Sequence, residues 1–225
     1  MTRPQNRPLI ITDCDEVLMH MVVPFAQWVD EEHGILFQID DASFANALKR
    51  KECGTPLQAA EVWPLLDGFF AAEMGRQTPI PGAFEALAAL RGHADIVVLT
   101  NVGPDHQPAR AAQLAAQGLT CEVIGSRGGK GAPVRALIAA RQPSLTIFID
   151  DLAQHHHSVA IEAPDVWRLH LVGEPAIADK IRAARHAHAR IDDWTSAQGW
   201  IMEQLDAGVA APALDSVTGD RSCVM

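Results

Sequence analysis

The sequence is poor in cysteine, poor in positive charge and free of long apolar runs, and each shortage closes off a class of function. Only 4 cysteines stand among 225 residues (Cys14, Cys53, Cys121 and Cys223), and none forms a C-x-x-C pair. That usage argues against a disulfide framework or a zinc knuckle and points to a reducing compartment. Lys and Arg number 18 against 28 Asp and Glu, a formal net charge of −10. A general nucleic-acid binder or a polybasic membrane-surface protein does not fit that balance. A local anion site stays open, because one lysine, a metal ion and a few backbone N–H groups can overcome a negative background. No apolar run approaches the length of a membrane span. Arg3 and Arg7 precede Leu9-Ile10-Ile11, but Asp13 follows too soon for a signal-peptide core. Cys223 is third from the end, not fourth, so it makes no prenylation box. The expectation is a cytoplasmic protein with no nucleic-acid or membrane partner.

What is present is ordinary globular composition, 48% hydrophobic and 20% charged, enough for one large domain or one domain with an insert. Short apolar runs at Pro8–Thr12, Asp95–Thr100, Cys121–Ile124, Leu145–Ile149 and Val166–Val172 are mostly apolar at every position. Strands buried on both faces of a parallel sheet read this way. Helical segments lie between them. Pro81-Gly82 opens a helix over Ala83–Arg91 that stops at Gly92, and Asp105 is placed to cap one over His106–Gln117. Val134, Leu137 and Ile138 mark a third that ends before Pro143. This alternation predicts an α/β fold with a doubly wound, mainly parallel sheet.

The stretch 19–78 breaks the pattern. It carries Phe25, Trp28, Phe44, Trp63, Phe69 and Phe70 in helical settings and reads as a small helical insert whose aromatics form its own core. The expected division is a core over 8–18 and 79–207, the insert at 19–78, and a loose tail at 208–225.

In such sheets ligands collect at the carboxyl ends of the strands. The first strand ends Thr12-Asp13-Cys14-Asp15, the second Leu99-Thr100-Asn101, and the fourth Ile149-Asp150-Asp151; Lys130 precedes a helix within Gly128-Gly129-Lys130-Gly131. These groups suit phosphoryl transfer. Asp13 and Asp15 are two apart and face the same way on an extended backbone. One can attack phosphorus, and the other can protonate the leaving oxygen and then deprotonate water. Mg²⁺ favours carboxylate and phosphate oxygens, which Asp13 with Asp150 and Asp151 would supply. Thr100 can hydrogen-bond a phosphoryl oxygen, and Lys130 can neutralise charge as a point cation.

At these residues the chain resembles the haloacid dehalogenase-like superfamily. Ile10-Ile11-Thr12-Asp13-Cys14-Asp15-Glu16-Val17 is similar to its first motif, Val98-Leu99-Thr100-Asn101 to its second, Lys130 to its third, and Phe148-Ile149-Asp150-Asp151 to the paired-acid form of its fourth. The resemblance runs from about Pro8 to Leu205 and is loose after Val172. It implies Asp13 as nucleophile and Asp15 as general acid/base, with Thr100, Asn101 and Lys130 on the phosphoryl group. It also implies Mg²⁺ held by the Asp13 side chain, the Asp15 backbone carbonyl and Asp151, with Asp150 in a supporting or water-mediated role. The insert occupies the family's cap position, where substrate selectivity resides. The expected activity is a Mg²⁺-dependent phosphohydrolase acting on a small phosphorylated metabolite, as a monomer or homodimer. A retained second Asp ties the chain to phosphoryl chemistry rather than dehalogenation.

Three features depart from the family pattern. His155 stands where paired-acid members often carry Asn, Lys130 sits among glycines, and the cap is short, which leaves the site open or its closure to a partner subunit. Gly128-Gly129-Lys130-Gly131 fails as a P-loop, since Ile124 replaces the first Gly and Gly131 the Ser/Thr. His155-His156-His157 lacks metal-ligand spacing and reads as solvated or helix-packing, and Cys14 reads as core. Competing classes are a phospho-receiver signalling domain, whose acid pair belongs near the chain start rather than late, and a non-catalytic binding relative. Lys130 as a solvated loop lysine and Thr100 as a plain strand end are the plainer alternatives for those two residues.

Overall fold

The computed structural model describes residues 6–38 and 47–214. Phe44 and the tail from 215 onward therefore lie outside the described residues. In chain order the elements are β1 (Leu9–Thr12), α1 (Val22–His33), β2 (Ile35–Phe37), β3 (Leu48–Arg50), α2 (Ala59–Ala72), α3 (Ala83–Leu90), β4 (Asp95–Thr100), α4 (Gln107–Ala116), β5 (Glu122–Gly125), α5 (Gly131–Arg141), β6 (Thr146–Asp150), α6 (Ala153–Glu162), β7 (Trp167–His170), α7 (Pro175–Ala178), β8 (Ala189–Arg190) and α8 (Trp194–Ala207).

Six strands form one sheet in the order β5-β4-β1-β6-β7-β8, every neighbouring pair parallel. The period-2 rule explains why its runs are apolar throughout. Ile10, Val98, Ile147 and Ile149 point into one core with Leu87, Leu114, Trp194 and Ile201. The alternating Leu9, Ile11, Val97, Leu99 and Phe148 point into the other, with Val134, Leu137 and Val159. Helices α3, α4 and α8 thus cover one face, and α5 and α6 the other. The doubly wound fold expected from the sequence is present.

The order in which strands are added reverses around β1. After β1 the chain builds β4 and β5 on one side, then crosses to β6, β7 and β8 on the other. The crevice at such a switch point is where ligands bind. It falls at the carboxyl ends of β1, β4 and β6, with Thr12 level with Val98 and Ile149.

Several local expectations need correction. The insert is not purely helical: β2 and β3 pair antiparallel, Ile35 opposite Arg50 and Phe37 opposite Leu48. Strands of three residues carry too little alternation to show in sequence. Its aromatic core is real, gathering Phe25, Trp28, Val62, Phe69 and Phe70 around Leu48, but Trp63 is 58% exposed and belongs to no core. Asp105 does not cap α4. Pro104 starts a short 3-10 turn two residues earlier, which places Asp105 inside the turn, and α4 begins at Gln107 without a side-chain cap. Strand β8, only two residues long, went unforeseen. The stretch after Gly208 is docked as far as it is described: the Trp167 indole donates to the Val209 carbonyl (2.8 Å) and the Ala211 N–H to the Asp165 carbonyl (3.1 Å).

The insert is entered and left through two adjacent segments beyond the end of β1, bridged antiparallel at Met19 and Pro79. The His20 N–H donates to the Thr78 carbonyl and the Ile80 N–H to the Leu18 carbonyl, both at 2.9 Å.

Candidate active site

Asp13 is placed by β1, its N–H donating to the Ile149 carbonyl at 2.8 Å. Its carboxylate Oδ1 lies 2.7 Å from Lys130 Nζ. The same ammonium donates to Asp150 Oδ2 at 2.6 Å. Lys130 is fully buried, which rules out the solvated-lysine alternative. It precedes the first residue of α5, and its glycine setting has a steric cause. A Cβ on Gly131 would stand 2.2 Å from the Ser158 carbonyl oxygen, so only glycine lets α5 lie against α6 and hold Lys130 inward.

Asp150 ends β6 with both oxygens engaged, Oδ2 by Lys130 and Oδ1 by the Leu152 N–H at 2.9 Å. The next carboxylate, Asp151, accepts no hydrogen bond from any described residue. Oxygens of Asp13, Asp150 and Asp151 all lie within 4.8 Å of one another. Thr100, at the end of β4, has a buried hydroxyl with no hydrogen-bond partner among the described residues. Such a group costs about 1–3 kcal/mol unless something satisfies it. Asn101 is differently disposed. Its amide donates to the Gly128 carbonyl (3.0 Å) and accepts from the Ser126 hydroxyl (3.1 Å), bracing the loop before Lys130.

The electrostatics follow from one cation among three buried acids. Burial pushes Asp13 up to about 7, against the pull of Lys130 and with help from Asp150 and Asp15. Burial, then Asp150, Asp13 and Glu16, drive Asp151 well above the carboxylate range. Burial opposes ionisation of Asp150 too, but Lys130, His155 and His156 outweigh it and hold its carboxyl below the usual range. Lys130 is kept charged: burial disfavours its ammonium, and Asp13 and Asp150 more than compensate. Cys14 is buried with its thiol pushed up, as a core residue should be.

No family profile and no curated protein sequence matches the chain. Solved structures do. A haloacid dehalogenase-like family hydrolase from Streptococcus pneumoniae superposes with a TM-score of 0.62 at 12% identity, covering 88% of this chain and 100% of the other. The chain has the haloacid dehalogenase-like fold. A protein named as a phosphoglycolate phosphatase from Lactobacillus delbrueckii subsp. bulgaricus matches at TM-score 0.59 and 13% identity, over 88% and 98% of the two chains. A magnesium-bound protein named as a HAD-hydrolase from Bacillus subtilis matches at 0.58 and 13%, over 88% and 99%.

The haloacid dehalogenase-like fold implies Mg²⁺ at the β1 and β6 carboxyl ends, and the donor set here fits that ion. It is all oxygen, suited to a hard cation. Asp151 offers a carboxylate that no donor reaches, while Asp150 is already held by Lys130 and Leu152.

Other polar residues of this centre carried no motif. Arg110, from α4, is fully buried and grips Asp15 with Nη2 at 2.8 Å from Oδ1 and 3.0 Å from Oδ2. Gln77 donates to Asp15 Oδ1 at 2.7 Å and accepts from Arg110 at 2.9 Å. Glu16 adopts a left-handed backbone (φ 61°), and its carboxylate accepts from the Met21 and Val22 N–H groups at the start of α1. His20 Nδ1 lies 2.8 Å from Glu174 Oε2. Of the histidine run, His155 and His156 are buried helix-packing residues. His156 Nε2 bonds the Asp150 carbonyl at 2.9 Å, and His155 Nε2 lies 3.5 Å from the Asn101 amide. No local sequence pattern marks Arg110, whose partner Asp15 lies 95 positions away. Nothing marks Gln77.

Proposed function

We propose that this protein is a Mg²⁺-dependent phosphohydrolase that acts on a small phosphorylated metabolite through an aspartyl-phosphate. The observation that carries the reading is the placement of Lys130, buried between Asp13 and Asp150, at the strand ends where Thr100 also leaves a buried hydroxyl without a partner among the described residues. A fold needs no such arrangement for stability, since a buried ion cluster is costly relative to apolar packing. A dianionic phosphoryl group would satisfy both the ammonium and the Thr100 hydroxyl.

In this reading Asp13 attacks phosphorus, and the leaving oxygen takes a proton from Asp15. Asp15 then takes a proton from the water that attacks the phosphorus of the aspartyl-phosphate. The Asp13–phosphorus bond breaks, and phosphate leaves. Thr100 donates to a phosphoryl oxygen and Lys130 neutralises the charge that grows there. Asn101 contributes by fixing the loop that carries Lys130. The metal would be held by Asp13, Asp151 and the Asp15 backbone, with Asp150 supporting through Lys130. When bound, Mg²⁺ supplies positive charge that favours the ionised Asp13 and draws electron density from the phosphoryl group. Residues 19–78 act as the cap that selects the substrate, and the protein works in the cytoplasm as a monomer or homodimer. Relatives in fold named as phosphatases, and one bound to magnesium, support the reading.

The test is phosphate release from sugar phosphates, phosphoglycolate and nucleotides, with and without Mg²⁺. Release that needs the metal supports the reading; no release from any ester contradicts it.

A further inference from the structure

Arg110 is the largest buried cation near the site that the mechanism above leaves without a task. It is 0% exposed, so it cannot meet a substrate directly. Burying an unpaired guanidinium is expensive, and its partners therefore show what it is for. Nη2 spans both oxygens of Asp15, at 2.8 and 3.0 Å. Nη1 donates to Gln77 Oε1 (2.9 Å) and Gln113 Oε1 (2.8 Å). The Phe70 ring lies 5.5 Å from Cζ. Gln77 in turn donates to Asp15 Oδ1 at 2.7 Å, and Gln113 to the Met74 carbonyl at 2.7 Å.

These bonds are unequally shared. Oδ1 of Asp15 accepts from both Arg110 and Gln77, whereas Oδ2 accepts from Arg110 alone. A carboxylate oxygen has two lone-pair sites, so Oδ1 is saturated and Oδ2 keeps one site open. We infer that Arg110 is a positioning residue for the general acid/base: with Gln77 it fixes the plane of the Asp15 carboxylate and makes Oδ2 the oxygen that carries the proton. Oδ2–H gives its proton to the ester oxygen as the phosphorus–oxygen bond breaks. Oδ2 later recovers a proton from the attacking water as the Asp13–phosphorus bond breaks, so the cycle is closed. The clamp is anchored in the insert's exit segment through Met74 and Gln77, so the acid/base is oriented jointly by core and insert.

The inference rests on the phosphohydrolase reading, and leaving-group chemistry separates the two. An alkyl phosphate needs a general acid to expel its alkoxide, whereas p-nitrophenyl phosphate expels a stable phenolate without one. General acid/base catalysis is worth about 10²–10⁴-fold. Arg110→Met should therefore lower kcat/KM roughly 100-fold for whichever of glucose 6-phosphate, glycerol 2-phosphate and phosphoglycolate wild type cleaves best, and only a few-fold for p-nitrophenyl phosphate. Arg110→Lys keeps the charge but cannot fix a carboxylate plane as the guanidinium fork does, and should show the same selective loss, smaller in size. In an Asp15→Asn background, Arg110→Met should add almost nothing. Equal losses on alkyl and aryl esters, or a full further loss in the Asp15→Asn background, would overturn the role of Arg110 and leave the phosphatase reading standing. If Arg110→Met fails to fold, the Arg110→Lys ratio between the two esters decides. Absence of Mg²⁺-dependent release by wild type overturns the phosphatase reading and this inference with it.

Discussion

The ammonium of Lys130 stands 2.7 Å from the carboxylate of Asp13; the lysine is fully buried and the Asp13 side chain keeps only 9% of its surface exposed. The relationship unites two residues 117 positions apart in sequence, from the end of β1 and the start of α5. It sets the charge state of the centre. Lys130→Met would leave Asp13, Asp150 and Asp151 together without a cation. Removing one partner of a buried ion pair costs about 3–5 kcal/mol. The expected result is a loss of that size in denaturant-derived stability at pH 8, less at pH 6, where the stranded carboxyls take up protons, together with loss of phosphate release. Unchanged stability at both pH values would contradict the placement of Lys130.

Thr100 separates folding from function. Its buried hydroxyl has no partner among the described residues, so Thr100→Val, nearly isosteric, removes an unsatisfied polar group. Replacing such a group with an apolar one is neutral to stabilising, by up to roughly 1 kcal/mol. In the proposed reaction the same change also deletes a donor to the phosphoryl group, and losing such a donor typically costs about 10²-fold in kcat. Chemical denaturation should therefore show equal or greater stability while turnover falls. A variant that is destabilised and fully active would assign Thr100 to the fold alone.

Magnesium affinity should be steeply pH-dependent. A metal binds the ionised carboxylate, and burial holds Asp13 at about 7 in the metal-free protein, with Asp151 also raised. Below pH 7 each proton that must leave weakens binding about tenfold per pH unit. Above it Asp13 is ionised and its contribution to the dependence flattens. Titration calorimetry between pH 5.5 and 8.5 should show affinity falling as pH falls, with proton release on binding. Affinity independent of pH would rule out Asp13 and Asp151 as ligands.

Much of this was legible because parallel strands buried on both faces announce themselves. Ile10-Ile11, Val97-Val98-Leu99 and Ile147-Phe148-Ile149 could be placed in a sheet without structural information, and the fold then carries Asp13, Thr100 and Asp150 to one crevice. Lys130 was legible too, although the reason for its glycines, the contact of α5 with α6, was not. Arg110 and Gln77 were invisible for a physical reason. They act by packing against Asp15 from sites 95 and 62 positions away, and no local pattern records a partner at that range. The β2–β3 pair was hidden by its length, and the exposure of Trp63 by taking all the insert's aromatics together as its core.

The most direct test of the central claim follows the phosphorus itself. Wild type and Asp13→Asn would be mixed with ³²P-labelled substrate and Mg²⁺, quenched in acid within milliseconds, and assayed for protein-bound label and released phosphate. The account predicts a transient, hydroxylamine-sensitive label and steady phosphate release in wild type, and neither in Asp13→Asn. Phosphate release by Asp13→Asn at the wild-type rate would contradict it.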